Sequence, residues 1–358
     1  MNYTARQHRI EAVIRDKGLD ALLVTHLPNV RYLSGFTGSA GLLVVGPKRP
    51  VFFTDGRYTG QARDQVERAR VITVKRTVME ALAEWLLDNN LRRVGIESDH
   101  MTVATRARLA KQLRGQVRLR NTSGWVERER MVKDADELAL IRRAVNLGAE
   151  LLDVAVDTIR PGATELEVAA QLEYEARKRG AEAMSFETII AAGERSALPH
   201  GRATAAAIPE RGFVVLDFGV ILGGYCSDMT RTVRVGKMSD ADEKLYNSVR
   251  HSQQAATEAV HAGAVAGNVD AAARRVLTRA GFGKYFSHST GHGVGLEIHE
   301  APRLGRGQTE PLQPGMVVTI EPGAYIPGCG GVRIEDMVVV TPDGCEVLTP
   351  ATKELIQL

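Results

Sequence analysis

The stretch GFVVLDFGVILGGYCSDMTRTVRV, Gly212 to Val235, decides the fold of the chain. Two runs rich in β-branched residues flank the breaker Gly223-Gly224, a pattern that predicts a β-hairpin. If residues 221–224 form the loop, the antiparallel ladder sets Asp217 directly opposite Asp228. Opposed side chains share a face, with Cβ atoms about 4.5–5.5 Å apart. Two carboxylates there favour a bound metal at neutral pH, whereas two solvent-exposed aspartates are the alternative from this hairpin alone.

A second hairpin pattern surrounds residues 322–331, which are rich in Gly and Pro and are predicted to form a turn. Strands over residues 315–321 and 335–340 then pair so that Glu321 lies opposite Glu335. The sequence therefore predicts a second pair of facing carboxylates.

A histidine cluster, FSHSTGHGVGLEIHE, runs from Phe286 to Glu300. The glycines on both sides of His292 are predicted to let the backbone approach a ligand closely. Four carboxylates and one imidazole are too acidic a set for a structural zinc, which favours Cys and His. Such a set suits Mn²⁺ or Co²⁺, and bridging carboxylates hold two metals about 3.5–4 Å apart for hydrolysis.

Six motifs of the chain resemble those of the pita-bread metallopeptidases, and more narrowly their proline-specific branch, aminopeptidase P and prolidase. The motifs are Leu198-Pro-His-Gly201, Leu216-Asp-Phe-Gly219, Gly224-Tyr-Cys-Ser-Asp-Met-Thr-Arg-Thr232, His288-Ser-Thr-Gly-His-Gly-Val-Gly295, Thr319-Ile-Glu-Pro-Gly323 and Gly331-Val-Arg-Ile-Glu-Asp336. The resemblance spans roughly residues 127–348, and the motifs follow the family's order. Asn29–Gly38 and Thr54–Tyr58 also resemble the creatinase-type N-terminal domain of that branch.

The alternation of helix and strand patterns before residue 121 predicts an α/β domain. It is predicted to have a helix that ends at Gly18, helices over residues 78–89 and 103–113, strands at residues 21–25, 71–74 and 94–96, and a hairpin of residues 42–45 and 51–54 across Pro47-Lys48. Turn formers at residues 121–124 and a charged connector over residues 127–133 place the boundary near residue 125. We therefore predict a creatinase-like N-terminal domain over residues 1–124. For residues 125–358 we predict an α+β pita-bread catalytic domain, in which helices cover a curved antiparallel sheet with the metal ligands on its inner face.

The resemblance implies a role for each matching residue. Asp217 would bind one metal, His292 and Glu321 the other, and Asp228 and Glu335 both. Glu321 would also be the general base, His200, His288 and His299 would bind the substrate carbonyl and stabilise the tetrahedral intermediate, and Arg333 would support the metal ligands or anchor the substrate. Two divalent ions are implied, most simply Mn²⁺, with Co²⁺ or Zn²⁺ as alternatives.

Composition excludes several other classes. Of the 358 residues, 44% are hydrophobic and 25% are charged, as in ordinary globular proteins, and no stretch approaches the ~18 apolar residues of a membrane helix. Three cysteines do not form a disulfide framework, which indicates a reducing cytoplasm. The net charge of +3 is small, and the basic stripe in residues 101–120 is interpreted as a solvated helix face. We therefore expect no nucleic-acid or membrane partner.

The predicted reaction is metal-dependent cleavage of the Xaa-Pro bond at the N-terminus of peptides. The Gly35-Phe-Thr-Gly38 motif favours a short bacterial aminopeptidase P, and an Xaa-Pro dipeptidase (prolidase) is the alternative. The family also implies a homodimer, in which the neighbouring subunit's N-terminal domain helps to select the substrate. A methionine aminopeptidase and a non-catalytic pita-bread binding protein are the remaining alternatives, and the intact ligand set disfavours the latter.

Overall fold

The computed structural model describes residues 1–46 and 48–358, and the chain divides into two compact units, Met1–Arg130 and Met131–Leu358. The predicted domain boundary near residue 125 stays a prediction. A helix spans Trp125–Met131 and overlaps the segment predicted to be a charged connector. That helix forms because Val126 is a buried apolar residue among its charged ones.

The first unit is an α/β fold on a mixed sheet. Its helices are α1 (Tyr3–Asp16), α2 (Leu27–Ser34), α3 (Thr59–Gln65), α4 (Val78–Asp88), α5 (Val103–Gln112) and α6 (Trp125–Met131), and its strands are β1 (Ala21–Val24), β2 (Leu42–Val45), β3 (Val51–Asp55), β4 (Arg70–Val74), β5 (Arg93–Glu97) and β6 (Arg118–Thr122). The strand order is β4-β3-β2-β1-β5-β6. The predicted β2–β3 hairpin is confirmed, and Pro47 of its expected turn lies outside the described residues. The sequence missed α2, α3 and β6.

The second unit packs helices against antiparallel strands, as the pattern of the sequence predicts. Its helices are α7 (Ala135–Thr158), α8 (Glu165–Lys178), α9 (Asp240–Glu258) and α10 (Ala266–Arg279). Its strands are β7 (Ala183–Met184), β8 (Ile189–Ala192), β9 (Gly212–Phe218), β10 (Val220–Leu222), β11 (Tyr225–Cys226), β12 (Met229–Val235), β13 (Gly291–Gly293), β14 (Glu300–Leu304), β15 (Val317–Ile320), β16 (Gly323–Ile326), β17 (Gly330–Arg333), β18 (Asp336–Val340) and β19 (Cys345–Val347).

The hairpin of Gly212–Val235 forms with a tighter turn than predicted. Gly223 and Gly224 both have positive φ, +56° and +80°, which is the backbone of a two-residue turn that matches the twist of paired strands. The ladder therefore pairs Asp217 with Thr230, and the predicted direct pairing of Asp217 with Asp228 is wrong. Because side chains alternate with a period of two, Asp228 still lies on the same face as Thr230 and Asp217.

Alternation along the strands separates an apolar outer face from an acidic inner face. On β9, Val214, Leu216 and Phe218 pack into a core with residues of α7 and α8, whereas Asp217 has the opposite parity. On β15, Val318 and Ile320 pack in the same way into a core with residues of α9 and α10. The helices therefore cover one side of the strands, and the carboxylates lie on the other.

The second hairpin has the predicted register but a different turn. Ile320 pairs with Asp336, the register that sets Glu321 opposite Glu335. The predicted turn over residues 322–331 is wrong, because β16 and β17 pair within it as a two-stranded ribbon. The ribbon forms because Ala324 and Val332 are both buried in the core of the unit.

Local sequence signals fix where three helices of the second unit begin. Asp134, Thr164 and Ser239 each accept a hydrogen bond from the backbone three residues later, and the acid at that position bonds back. Among the described residues, no helix combines the length and the apolar character needed to cross a membrane.

Candidate metal centre and active site

One cavity of about 640 Å³ in the second unit collects every residue to which the sequence assigned a role. The nine predicted residues that line it are His200, Asp217, Asp228, His288, His292, His299, Glu321, Arg333 and Glu335. The structure therefore brings the complete predicted set together, while the individual roles stay predictions.

His292 presents one ring nitrogen to the carboxylates. Its Nδ1 lies 3.0 Å from the Gly293 carbonyl oxygen, and because a carbonyl only accepts, Nδ1 carries the proton. Burial lowers the pKa of His292 to about 4, so the ring is neutral at pH 7 and Nε2 keeps its lone pair. Nε2 lies 3.6 Å from Asp228 Oδ2 and 3.5 Å from Glu321 Oε1. This tautomer is the one that a metal at Nε2 requires.

The carboxylates crowd one another in a buried place. Ligand atoms of Asp228, His292 and Glu335 all lie within 4.8 Å of one another. Burial, and then the charges of Glu335 and Asp217, raises the pKa of Asp228 well above its ordinary value. Burial also raises the pKa of Glu335 well above its usual range and that of Glu321 to about 8. Such groups ionise together at neutral pH when a cation lies between them.

The partners of the two carboxylate oxygens of Asp217 indicate whether these residues suit a metal ion. Its Oδ2 accepts a hydrogen bond from Arg333 Nη2 at 2.5 Å. Its Oδ1 is buried and has no hydrogen-bond partner among the described residues. Because a buried carboxylate oxygen without a partner is costly, Oδ1 is suited to coordinate a cation. The donor set of four carboxylates and one imidazole therefore fits a hard or borderline divalent ion.

Arg333 is buried beneath the acidic face and binds four groups. Besides Asp217, its guanidinium donates to Thr230 Oγ1 at 3.0 Å, Tyr325 Oη at 2.6 Å and the Pro199 carbonyl at 3.1 Å. Thr230 in turn donates to Glu335 Oε2 at 2.7 Å. One guanidinium is therefore linked to two of the candidate ligands.

The three substrate-binding candidates differ in their surroundings. His288 Nδ1 lies 2.8 Å from the Ser289 carbonyl oxygen, and its Nε2 lies 2.8 Å from Tyr325 Oη. Burial and the charge of Arg333 lower the pKa of His288 to about 4, so the ring is neutral. His200 and His299 are exposed side chains in the cavity wall, and burial of part of the ring lowers the pKa of His299.

The glycines beside His292 are required by the backbone that flanks β13. A Cβ on Gly291 would lie 1.9 Å from the Thr319 carbonyl oxygen, and one on Gly293 would lie 2.2 Å from that of Ala301. Both atoms belong to neighbouring backbone rather than to a ligand. Glycine is therefore needed so that adjacent strands can approach β13, and close approach of a ligand stays a prediction.

Sequence reasoning missed Thr230 and Tyr325, which connect Arg333 to Glu335 and to His288. A signal for Thr230 existed, since it follows Asp228 by two residues and must share its face. No comparable signal marks Tyr325, because it lies in the segment that was predicted to be a turn.

Comparison with known proteins identifies the class to which this fold and site belong. The sequence model of metallopeptidase family M24 matches residues 139–342, and that of the creatinase/prolidase N-terminal domain matches residues 6–132. The chain belongs to metallopeptidase family M24 and is a peptidase.

Three relatives cover nearly the whole chain. An Xaa-Pro dipeptidase structure from Bacillus anthracis is 40% identical, covers 100% of both chains and has a TM-score of 0.97. The Xaa-Pro dipeptidase of Pyrococcus horikoshii is 36% identical over 94% of this chain and 95% of its own length. The X-Pro aminopeptidase structure from Thermotoga maritima is 34% identical, covers 98% of this chain and 100% of its own, and has a TM-score of 0.91. The predicted membership of the pita-bread, proline-specific branch is confirmed.

Proposed function

We propose that this chain is an Xaa-Pro dipeptidase that uses two divalent metal ions, most simply Mn²⁺. The observation that carries the proposal is the buried group of four carboxylates and His292 in one cavity, with Asp217 Oδ1 lacking a partner among the described residues. Membership of a metallopeptidase family supports the use of divalent ions. A homodimer in the cytoplasm stays part of the proposal.

The proposed ligands follow the sequence prediction: Asp217 for one ion, His292 and Glu321 for the other, and Asp228 and Glu335 shared. When bound, such ions lower the pKa of a water molecule toward neutrality and polarise the substrate carbonyl. The unprotonated Nε2 of His292 supports this assignment, as does Asp217 Oδ1, which has no partner in the described part of the chain.

Glu321 is proposed to hold and pass on the proton during hydrolysis. Burial raises the pKa of this carboxyl to about 8 in the metal-free protein, and its Oε1 lies in the cavity 3.5 Å from His292 Nε2. The Glu321 backbone N–H donates to the Thr290 carbonyl at 2.7 Å, which fixes the start of the side chain. His200 and His299 line the wall of the same cavity and are proposed to contact the substrate carbonyl.

Arg333 is proposed to position ligands rather than to anchor the substrate. Its hydrogen bonds run to Asp217, Thr230, Tyr325 and the Pro199 carbonyl, so its guanidinium is occupied by the protein. His288 is proposed to act through the same chain of bonds, because Tyr325 Oη lies between Arg333 and His288 Nε2.

We favour a dipeptidase over an aminopeptidase P, although the Gly35-Phe-Thr-Gly38 motif pointed toward the latter. Two of the relatives above are named Xaa-Pro dipeptidases, while one is named an X-Pro aminopeptidase. A dipeptide substrate also requires a cation for its free proline carboxylate. Arg303 is an exposed arginine that lines the cavity and is suited to bind that carboxylate.

The test compares an Xaa-Pro dipeptide with an Xaa-Pro-Yaa tripeptide, hydrolysed by one metal-loaded preparation. We expect faster cleavage of the dipeptide. The substitution Arg303→Gln should raise the KM for the dipeptide more than the KM for the tripeptide. Faster cleavage of the tripeptide, with dipeptide turnover near background, would assign the aminopeptidase instead. Hydrolysis that survives exhaustive chelation would reject the metal-dependent mechanism.

A further inference from the structure

His200 lies in a segment that contributes to the cavity but has little regular structure. A short 3-10 helix covers Gly193–Ala197, and the chain then continues without a strand or helix to residue 204. The His200 side chain is exposed, so packing around the ring itself does not hold it in place. The contacts at the two sides of segment 193–204 must therefore fix its position.

On one side, a fully buried carboxylate, Glu165, binds both ends of the segment. Glu165 is the first residue of α8 and has 0% exposure. Its Oε1 accepts from the Ala192 backbone N–H at 2.9 Å, and its Oε2 accepts from the Thr204 N–H at 3.0 Å and the Thr204 hydroxyl at 2.8 Å. Arg195 Nε lies 3.0 Å from both carboxylate oxygens.

Arg195 extends the same network to within two residues of His200. Its Nη2 donates to the Arg202 carbonyl at 2.8 Å. The carboxylate of Glu165 thus binds the backbone just before the segment at Ala192, the last residue of the segment, Thr204, and an arginine inside it, Arg195. Hydrogen bonds to a charged group are stronger than those between neutral groups, so this network resists deformation.

On the other side, the ribbon of β16 and β17 binds the segment. The Gly331 N–H donates to Ser196 Oγ at 2.8 Å, and Arg333 Nη1 donates to the Pro199 carbonyl at 3.1 Å. The second bond joins the residue before His200 to the arginine that holds Asp217. Movement of the segment away from Glu165 would therefore displace His200 relative to the candidate metal ligands.

We infer that Glu165 is a positioning residue for His200. Glu165 acts on the reaction only by holding segment 193–204 against the candidate metal centre. The inference rests on the proposed function, because it takes His200 to contact the substrate carbonyl. Glu165 does not line the cavity, and its bonds all run to the protein.

The test is a double-mutant cycle of Glu165→Gln with His200→Ala in the metal-loaded enzyme. Glutamine keeps the shape of the side chain, but its amide NH₂ faces donors and breaks the network. A displacement of about 1 Å costs roughly 10²-fold in rate. We therefore expect kcat for the Xaa-Pro dipeptide to fall about 10- to 100-fold with KM nearly unchanged. In the His200→Ala background, the same change should cost less than about threefold.

Arg195→Lys is a second variant, in case Glu165→Gln fails to fold. Arg195 is partly exposed, and lysine keeps the charge but cannot bind the carboxylate and the Arg202 carbonyl together. Its effect on kcat should likewise vanish in the His200→Ala background. Amide hydrogen exchange across residues 196–204 should be faster in both variants, with metal content unchanged.

Thr164→Ala is the matched control. It removes the side-chain cap of α8, one residue before Glu165, but does not touch segment 193–204. We expect a lower melting temperature and normal kcat. Equal losses of kcat from Glu165→Gln with and without His200 would overturn the inference. Normal kcat in His200→Ala alone would instead overturn the proposed role of His200.

Discussion

The hydroxyl of Thr230 offers the sharpest test of whether the protein orients Glu335 as a metal ligand. Thr230 is fully buried on the inner face of β12. It donates to Glu335 Oε2 at 2.7 Å and accepts from Arg333 Nε at 3.0 Å. Thr230→Val keeps the volume and β-branched shape but removes both bonds. We expect weaker metal binding, because the Glu335 carboxylate loses the donor that orients it.

The size of the effect follows from these bonds. A hydrogen bond to a charged group contributes about 1.5–3 kcal/mol, and about 1.4 kcal/mol corresponds to a tenfold change in an equilibrium constant. Loss of the bond to Glu335 should therefore raise the Kd for Mn²⁺ about 10- to 100-fold, which agrees with the usual effect of removing a hydrogen-bond partner of a metal ligand.

The matched control is Thr232→Val. Thr232 lies on the same strand and face, is also buried, and makes two bonds to the same ribbon. Its hydroxyl donates to the Arg333 carbonyl at 2.8 Å and accepts from the Arg333 N–H at 3.1 Å, so it contacts neutral backbone only. Both variants should lower the melting temperature of the metal-free protein, but only Thr230→Val should raise the calorimetric Kd. Equal Kd values for the two variants would refute the argument.

Three further predictions address the site. Glu335→Gln should lower metal content and activity together, since a shared ligand serves both ions; two bound ions with wild-type turnover would contradict it. His299→Ala should lower kcat about 10²–10³-fold, the scale of one lost donor to a developing oxyanion, with metal content and melting temperature unchanged; normal kcat would exclude that role. In chelated protein, the pKa of Glu321 is raised from an ordinary 4.5 to about 8. Between pH 4.5 and pH 8 the folded state therefore binds more protons than the unfolded chain. The free energy of unfolding of the chelated protein should therefore fall as pH rises through that range, and it should fall more steeply than in the Glu321→Gln variant. If the melting temperatures of the two proteins change in parallel across pH 5–8, the raised pKa of Glu321 is rejected.

The acidic face was predictable because strand periodicity alone fixes it. Asp217 and Asp228 share a face whether the loop has two residues or four, so the wrong register did not change the conclusion. The register itself depends on backbone angles at Gly223 and Gly224, which residue types permit but do not dictate.

Contacts between distant segments were not predictable in the same way. Tyr325 was assigned to a turn because Gly and Pro surround it, and only the pairing of β16 with β17 shows it between Arg333 and His288. The local sequence around Glu165 indicates only the start of a helix. The Glu165 side chain forms hydrogen bonds with residues that lie 27 to 39 positions away along the chain. No local sequence pattern encodes contacts at that separation.

The four bonds of the Arg333 guanidinium have a consequence for protein engineering. Through Asp217 and Thr230 this side chain reaches the metal ligands, and through Tyr325 and the Pro199 carbonyl it reaches the segments that carry two of the histidines. We therefore expect a change that breaks the bonds of this guanidinium to affect both the candidate metal ligands and the histidine-bearing segments. Libraries that aim at a new substrate should therefore vary the residues on both sides of this arginine together, and metal affinity should be measured beside activity.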